Sequence, residues 1–228
     1  IMALTKYNYN SFDVTSAASQ GLVFNSTANG FTTAAKGSMV LIKTITITSG
    51  TANATFVNGS SDVVFDNTYP LYIFKVYDVH PATDNEDLTV NFTTDGSNFN
   101  VSKQTTFWDS YHYEGDSQSY TGVGYTAAKD LAVGTGGQCF IKEIAHDNDN
   151  SGTGHLYVFN PSNTTYVKHF NSYSIAFADN DAADGGWIQD GYMSGYCNTS
   201  SAITGVRFAM SSGNIDTGIF KLYGVKDS

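Results

Sequence analysis

The densest oxygen chemistry in this sequence lies in "IAHDNDNSGTGHLYVFNPSNTTY", residues 144 to 166. Within it, "DNDNSG" places Asp147, Asp149, Ser151 and Gly152 where an EF-hand loop carries its first three oxygen ligands and its sharp-turn glycine. A hard cation, calcium first, is what such a set would hold. The twelfth position, where a bidentate glutamate closes the coordination sphere, is however Val158, and both flanks alternate like strands. Asp147, Asp149 and Ser151 thus stand as ligands of a non-EF calcium site, helped by Asp179, Asp181 and Asp184 of "ADNDAADGG". The competing reading, and the one expected here, is two solvated hairpin tips, where Asn, Asp and Gly tolerate positive φ and satisfy their own backbone.

Other chemistries find less support. The five histidines, His80, His112, His146, His155 and His169, never occur at a tight ligand spacing, and only His146 and His155 could face each other across the hairpin. Glycoside hydrolysis needs two carboxylates across a cleft, but the three glutamates are Glu86, Glu114 and Glu143, and only Glu143 sits inside a strand pattern. "GYMSGY" lacks the Gly-x-Ser-x-Gly spacing of a nucleophile elbow. The expectation is a protein without catalytic activity and without a cofactor.

The aromatic-rich stretch "FWDSYHYEGDSQSYTGVGY", residues 107 to 125, offers a different site. Trp108, Tyr111, Tyr113 and Tyr120 could stack on sugar rings in a lectin-like adhesin, with a host-surface glycan as ligand. Alternatively, alternate aromatics of this run, Trp108 among them, fill a core.

The elements that must position these residues are strands. "MVLIKTITIT" from Met39 alternates Val40, Ile42, Thr44 and Thr46 against Leu41, Lys43, Ile45 and Ile47, with β-branched residues dominating. The same grammar recurs in "NATFVN", "DVVFD", "LYIFKVYDVH", "DLTVNFTT", "NFNVSK", "TTFWDSYHY", "QCFIKEIAH", "GHLYVFN", "YVKHFNSYSIAFA", "GYMSGYC", "ITGVRFAM" and "GIFKLYGV", mostly separated by Gly, Asn, Asp and Ser. Many short strands at fairly even spacing predict an all-β fold, a two-sheet β-sandwich of jelly-roll-like type. "TAAKDLAV", Thr126 to Val133, is the single helix-friendly stretch and is long enough for a turn or two. Residues 1–36 lack a sustained period and read as a largely irregular N-terminal arm with short strands, leaving residues 37–228 as one sandwich domain.

Composition agrees. The chain has 228 residues, 41% of them hydrophobic and 14% aromatic, which is enough for a sizeable core. A net charge of −10 with 11 Lys and Arg leaves no basic stripe, so nucleic acid is not an expected partner. No apolar run approaches the roughly 20 residues that span a bilayer, and "IMALTKYNYN" has no export-signal pattern, with Met2 the expected start. Membrane insertion is not expected. Cys139 and Cys197 lie in separate strand patterns and are expected to be reduced core thiols, although their spacing does not exclude a pair. The seven Asn-x-Ser/Thr sequons follow from the abundance of Asn, Ser and Thr.

Several segments resemble a family of virion structural proteins of tailed bacteriophages, especially marine ones. They are "YIFKVYDVHPATDNEDLTVNFTTDGSNFNVSKQTT", "YHYEGDS", "HDNDNSGTGHLYVFNPSNTTYVKHF" and "SSAITGVRFAMSSGNIDTGIFKLYGVK", from about residue 70 to the C-terminus. The resemblance implies a particle subunit, assembled in the host cytoplasm and placed on the virion surface, either as capsid decoration or in a tail fibre or knob. Its partners would be other virion proteins. A homo-oligomer is expected, a trimer first, because a sandwich with open edges protects them by pairing with neighbours. Tyr7, Tyr9 and Phe12 in the arm are the expected docking residues, since aromatics in a segment with no core of its own must find partners elsewhere.

Overall fold

The computed structural model describes residues 20–24, 31–35, 38–115, 123–179 and 186–226. The arm contributes a hairpin, β1 (Gln20–Phe24) paired antiparallel with β2 (Phe31–Ala35). Tyr7, Tyr9, Phe12 and Tyr120 lie outside the described residues, as do Asp181 and Asp184.

The remaining strands form a two-sheet antiparallel sandwich. The small sheet holds β4 (Ala54–Val57), β6 (Glu86–Thr93), β10 (Gln138–Ile144) and β14 (Gly205–Met210), in the order β10-β6-β14-β4. The large sheet begins at one edge with β3 (Met39–Ile47), then β15 (Ile215–Val225) and β5 (Leu71–Pro81). It continues through β11 (Gly152–Phe159), β12 (Lys168–Ala178), β13 (Trp187–Cys197) and β7 (Lys103–Tyr113) to β8 (Val123–Tyr125), and β9 (Ala132–Gly134) also pairs with β7. From β3 to β7 each successive strand changes sheet, which is what makes the build jelly-roll-like. "TAAKDLAV" supplies one 3-10 turn, Ala127–Lys129, followed by β9.

Alternation decides which side chains enter the core. Tyr72, Phe74 and Val76 of β5, Leu156 and Val158 of β11, and Phe220 and Leu222 of β15 point inward from the large sheet. They meet Phe56, Leu88, Val90, Phe92, Phe140, Val206 and Phe208 of the small sheet. Phe208 is the aromatic hub: its ring centroid lies 5.4 Å from Phe74, 5.5 Å from Phe220 and 5.7 Å from Phe140, at the tilted and edge-on angles that ring quadrupoles favour. Strand β13 makes room with glycines. A Cβ on Gly191 would stand 2.8 Å from the Phe107 ring, and one on Gly195 would stand 2.6 Å from the Gln104 carbonyl.

Three expected details change. In β3 the pairing slips between Leu222 and Tyr223 of β15, so that Ile42 is an extra, bulged residue and Leu41 shares a face with Thr44 and Thr46. "DVVFD" and "NFNVSK" are buried loops, with Val63, Phe65 and Val101 in the core but no ladder around them. Most consequentially, "DNDNSG" is no hairpin tip: β10 before it belongs to the small sheet and β11 after it to the large one. It is a crossover between layers, because β10 finds its partner in β6 and β11 finds its partners in β5 and β12. The strands on either side of the second acidic segment, β12 and β13, by contrast pair directly with each other.

Candidate functional site

Three polar or aromatic clusters emerge from this layout. The first is the acidic end of the sandwich. Asp147, Asp149, Asn150 and Ser151 of the crossover line a cleft of about 680 Å³ with Glu114, Asp179 and Gly186. Asp179, where the second acidic segment begins, therefore does come beside the first. They do not form a coordination sphere: among the described residues no group of three His, Cys, Asp or Glu side chains converges as a metal would need. The Asp147 carbonyl is already occupied, accepting from the Asn150 N–H at 2.9 Å to close a turn and facing His80 Nε2 at 3.1 Å. His146 pairs with Asp84 at 3.3 Å instead of meeting His155, which stands on the outer face of the large sheet.

The second cluster bridges the sheets beside β10. Asp109 accepts from Lys142 Nζ at 2.7 Å and from the Thr126 hydroxyl at 2.7 Å. Glu143 lies 3.5 Å from Lys142 and 3.8 Å from Lys129, and Lys129 donates to both oxygens of Asp87. Glu143 takes a left-handed φ of 45° where β10 bulges, and its N–H donates to Asp87 at 2.9 Å. Burial alone would lower the Lys142 ammonium, but its hydrogen bond to Asp109 and the neighbouring Glu143 outweigh it and hold its pKa above the ordinary lysine value. Each carboxylate thus has a lysine against it. The arrangement ties β10 of the small sheet to β7 and to the 3-10 turn, filling the gap where the small sheet ends.

The third cluster is a row of side chains across the outer face of the large sheet. In register, Trp108 of β7 lies opposite Tyr192 of β13, Tyr192 opposite Tyr173 of β12, and Tyr173 opposite His155 of β11. His155 lies opposite Lys75 of β5, and Lys75 opposite Lys221 of β15. One side chain per strand, six strands in succession, forms a straight track of about 24 Å at a strand spacing of about 4.8 Å. Ring centroids are 4.8 Å apart for Trp108–Tyr192 and for Tyr173–Tyr192, and 5.9 Å for His155–Tyr173. Trp108 remains 41% exposed and Tyr192 38%. Lys75 lies over the Tyr223 ring at 5.7 Å, and Lys221 over the Tyr77 ring at 5.6 Å.

Of the described aromatics singled out in the sequence, Trp108 is the one on this face, and it does not fill the core. Tyr111 and Tyr113 point to the opposite face of β7, where Tyr113 packs against Trp187 at 5.2 Å and Tyr111 against Tyr113 at 5.9 Å. Trp108, Tyr111 and Tyr113 therefore do not share one sugar-stacking platform. Tyr192, Tyr173, His155, Lys75 and Lys221 were not legible as a group, because they come from five strands and only register aligns them. The available signal was the placement of aromatics at the polar phase of alternating strands, as in "HLYVF" and "SYSI".

Cys139 and Cys197 are both free and buried, one in each sheet. Cys197 sits in register between two buried lysines, Lys168 of β12 and Lys103 of β7. Lys103 donates to Asn91 Oδ1 at 2.6 Å and to the Val101 carbonyl at 2.8 Å, and burial lowers its pKa to about 8. Burial pushes the Cys197 thiol up to about 12, against the pull of both lysines. No helix among the described residues is long and apolar enough to cross a membrane. Comparison with protein-family models, curated proteins and solved structures finds no match to this chain.

Proposed function

We propose that this chain is a non-enzymatic structural subunit of a bacteriophage particle, sited on the virion surface, that docks by one edge and presents the outer face of its large sheet. The observation that carries the reading is the exposed row from Trp108 to Lys221. A sandwich that served only as packing material would gain nothing from keeping a tryptophan and a tyrosine stacked in water. The resemblance to virion structural proteins of tailed phages supplies the particle, and the acidic, Tyr- and Asn-rich composition suits a solvent-facing subunit.

The docking side is the opposite edge of the sheet. Among the described residues β3 pairs with β15 alone, its Met39 and Leu41 are exposed, and the arm leads directly into it. An edge strand of nine residues is a template for a neighbouring chain unless something covers it. The proposed homo-oligomer, a trimer, and the contacts with other virion proteins are formed there, with the arm residues Tyr7, Tyr9 and Phe12 completing them.

Purified particles test this reading. The chain is expected in their protein inventory, reachable by antibody on intact particles, and a chain lacking residues 1–36 is expected to fold yet fail to incorporate. Absence from the particles, or incorporation of the truncated chain at normal occupancy, would refute the reading as stated.

A further inference from the structure

The row on the outer face of the large sheet has a chemistry of its own. Trp108 and Tyr192 stack at an interplanar angle of 23°, so their faces lie against each other and their edges and polar atoms point outward. A flat platform for sugar faces would need the reverse. What the row offers is a line of hydrogen-bond donors: the Trp108 indole N–H and the phenol hydroxyls of Tyr192 and Tyr173, for none of which a partner exists among the described residues. The line ends in two ammonium groups. Lys75 and Lys221 stand directly opposite each other on neighbouring strands, an arrangement that costs stability through like-charge repulsion. In a chain with 11 basic residues and a net charge of −10, that juxtaposition is the feature most in need of a ligand. His155, between the tyrosines and the lysines, has its pKa lowered by burial and by Lys75. A carboxylate on this face, Asp190, accepts from the Ser110 hydroxyl and stands close enough to Tyr173 to add to burial in raising its pKa, at the end of the row away from the lysines.

The geometry points to an acidic polysaccharide, a linear glycan bearing carboxylates such as a uronic acid polymer, as the occupant of this row. Charge complementarity selects the anion, and a track rich in donors, with the indole N–H and two ammonium groups unable to accept, favours an acceptor-rich partner. The straight course across six strands selects a linear polymer whose sugar repeat is close to the strand spacing of about 4.8 Å. Nucleic acid is the poorer fit, because duplex DNA carries a charge about every 1.7 Å and calls for a basic stripe, whereas this row has ammonium groups at one end only. This inference rests on the reading of the face as presented to the outside of the particle, and it names what the face meets there.

Affinity electrophoresis of the full chain in gels containing polygalacturonate, neutral pullulan or single-stranded DNA decides the matter. Retardation by polygalacturonate alone is expected. The pair Lys75→Ala/Lys221→Ala should bind about tenfold more weakly at a melting temperature no lower than that of the parent chain, since both side chains lie on the outer face and their mutual repulsion is removed. Trp108→Ser/Tyr192→Ser should also lose retardation, a second variant that keeps the lysines in place. No retardation by polygalacturonate, equal retardation by pullulan or DNA, or full retention of binding by both double variants would overturn the assignment. So would binding that appears only when residues 1–36 are removed, or self-association lost with Trp108→Ser/Tyr192→Ser, since the arm or a second copy would then own the face. Incorporation into particles is scored separately, so a subunit that is present in the particle but binds no glycan refutes this inference alone.

Discussion

The two faces of the large sheet are built from the same strands and much the same residue types, yet they differ in what holds them. On the inner face Tyr72, Phe74, Leu156, Phe170 and Phe220 are almost completely buried against a second sheet. On the outer face Trp108 and Tyr192 have neighbouring rings and water. Burial of a large apolar side chain contributes roughly 1.5–3 kcal/mol, so the inner face carries the fold. The outer aromatics recover only the part of that area that a neighbouring ring covers. Aromatics kept where they stabilise little are the ones to examine for recognition.

The sharpest way to break the comparison is to put a charge on each face. Phe74→Asp or Phe220→Asp buries an unpaired carboxylate among Phe208, Phe56 and Leu222, a cost of several kcal/mol that is comparable with the whole stability of a domain. Neither variant should give a cooperative melting transition. Survival of either one with an unchanged melting temperature would mean that the strand does not face the core there.

A smaller effect of opposite sign is expected from Lys103, which is charged but buried. Its folded pKa of about 8 lies below the ordinary lysine value of 10.5, so the unfolded chain binds more protons between those limits. Stability contributed through this group therefore rises as pH increases from about 8 towards 10.5, and below pH 8 the full penalty of holding the buried charge remains. Lys103→Met should stabilise the protein by about 1–3 kcal/mol at pH 7 and remove that rise from denaturant titrations run between pH 7 and 10. A destabilised Lys103→Met would show that the bonds to Asn91 and Val101 outweigh desolvation.

On the outer face, Trp108→Ser/Tyr192→Ser should lower stability by about 1 kcal/mol, the scale of a stacked aromatic pair at a surface. Urea melts with an unchanged slope would place these rings outside the cooperative core. Smallest of all is the acidic cleft. Chelation with EDTA should leave the melting temperature of the calcium-exposed protein where it was, because a cation bound only by the native state would add RT ln(1 + [L]/Kd) and no described residues in the cleft converge to bind one. A calcium-restorable drop of many degrees would reinstate Asp147, Asp149 and Ser151 as ligands.

Much of the fold was legible because alternation is a local property: β12 and β15 follow directly from side chains that switch face along almost their whole length, and β3 does so apart from the bulge at Ile42. Loops that imitate strands were not. "DVVFD" places Val63 and Phe65 in the core without a ladder, because apolar alternation reports burial and not backbone pairing. The segment from His146 to Gly152 misled for a related reason. Two alternating flanks around a turn-rich stretch look alike whether they pair with each other or pass between layers, and only the partners in β6 and β5 decide. The candidate site was legible at one residue, Trp108. Its companions depend on register, which joins positions 33 to 113 residues from Trp108 along the chain at one line on the sheet. Buried Lys103 and Lys168 ran against the expectation that charge stays outside, and their backbone carbonyl acceptors are invisible before folding.

An image reconstruction of the assembled phage particle, resolved well enough to orient the sandwich, tests the central claim most directly. The account predicts this chain on the exterior, with the β3 edge against a neighbouring subunit and the face bearing Trp108, Tyr192 and Tyr173 open to solvent. Finding that face buried against another particle protein, or finding no density for this chain in the particle, would contradict it.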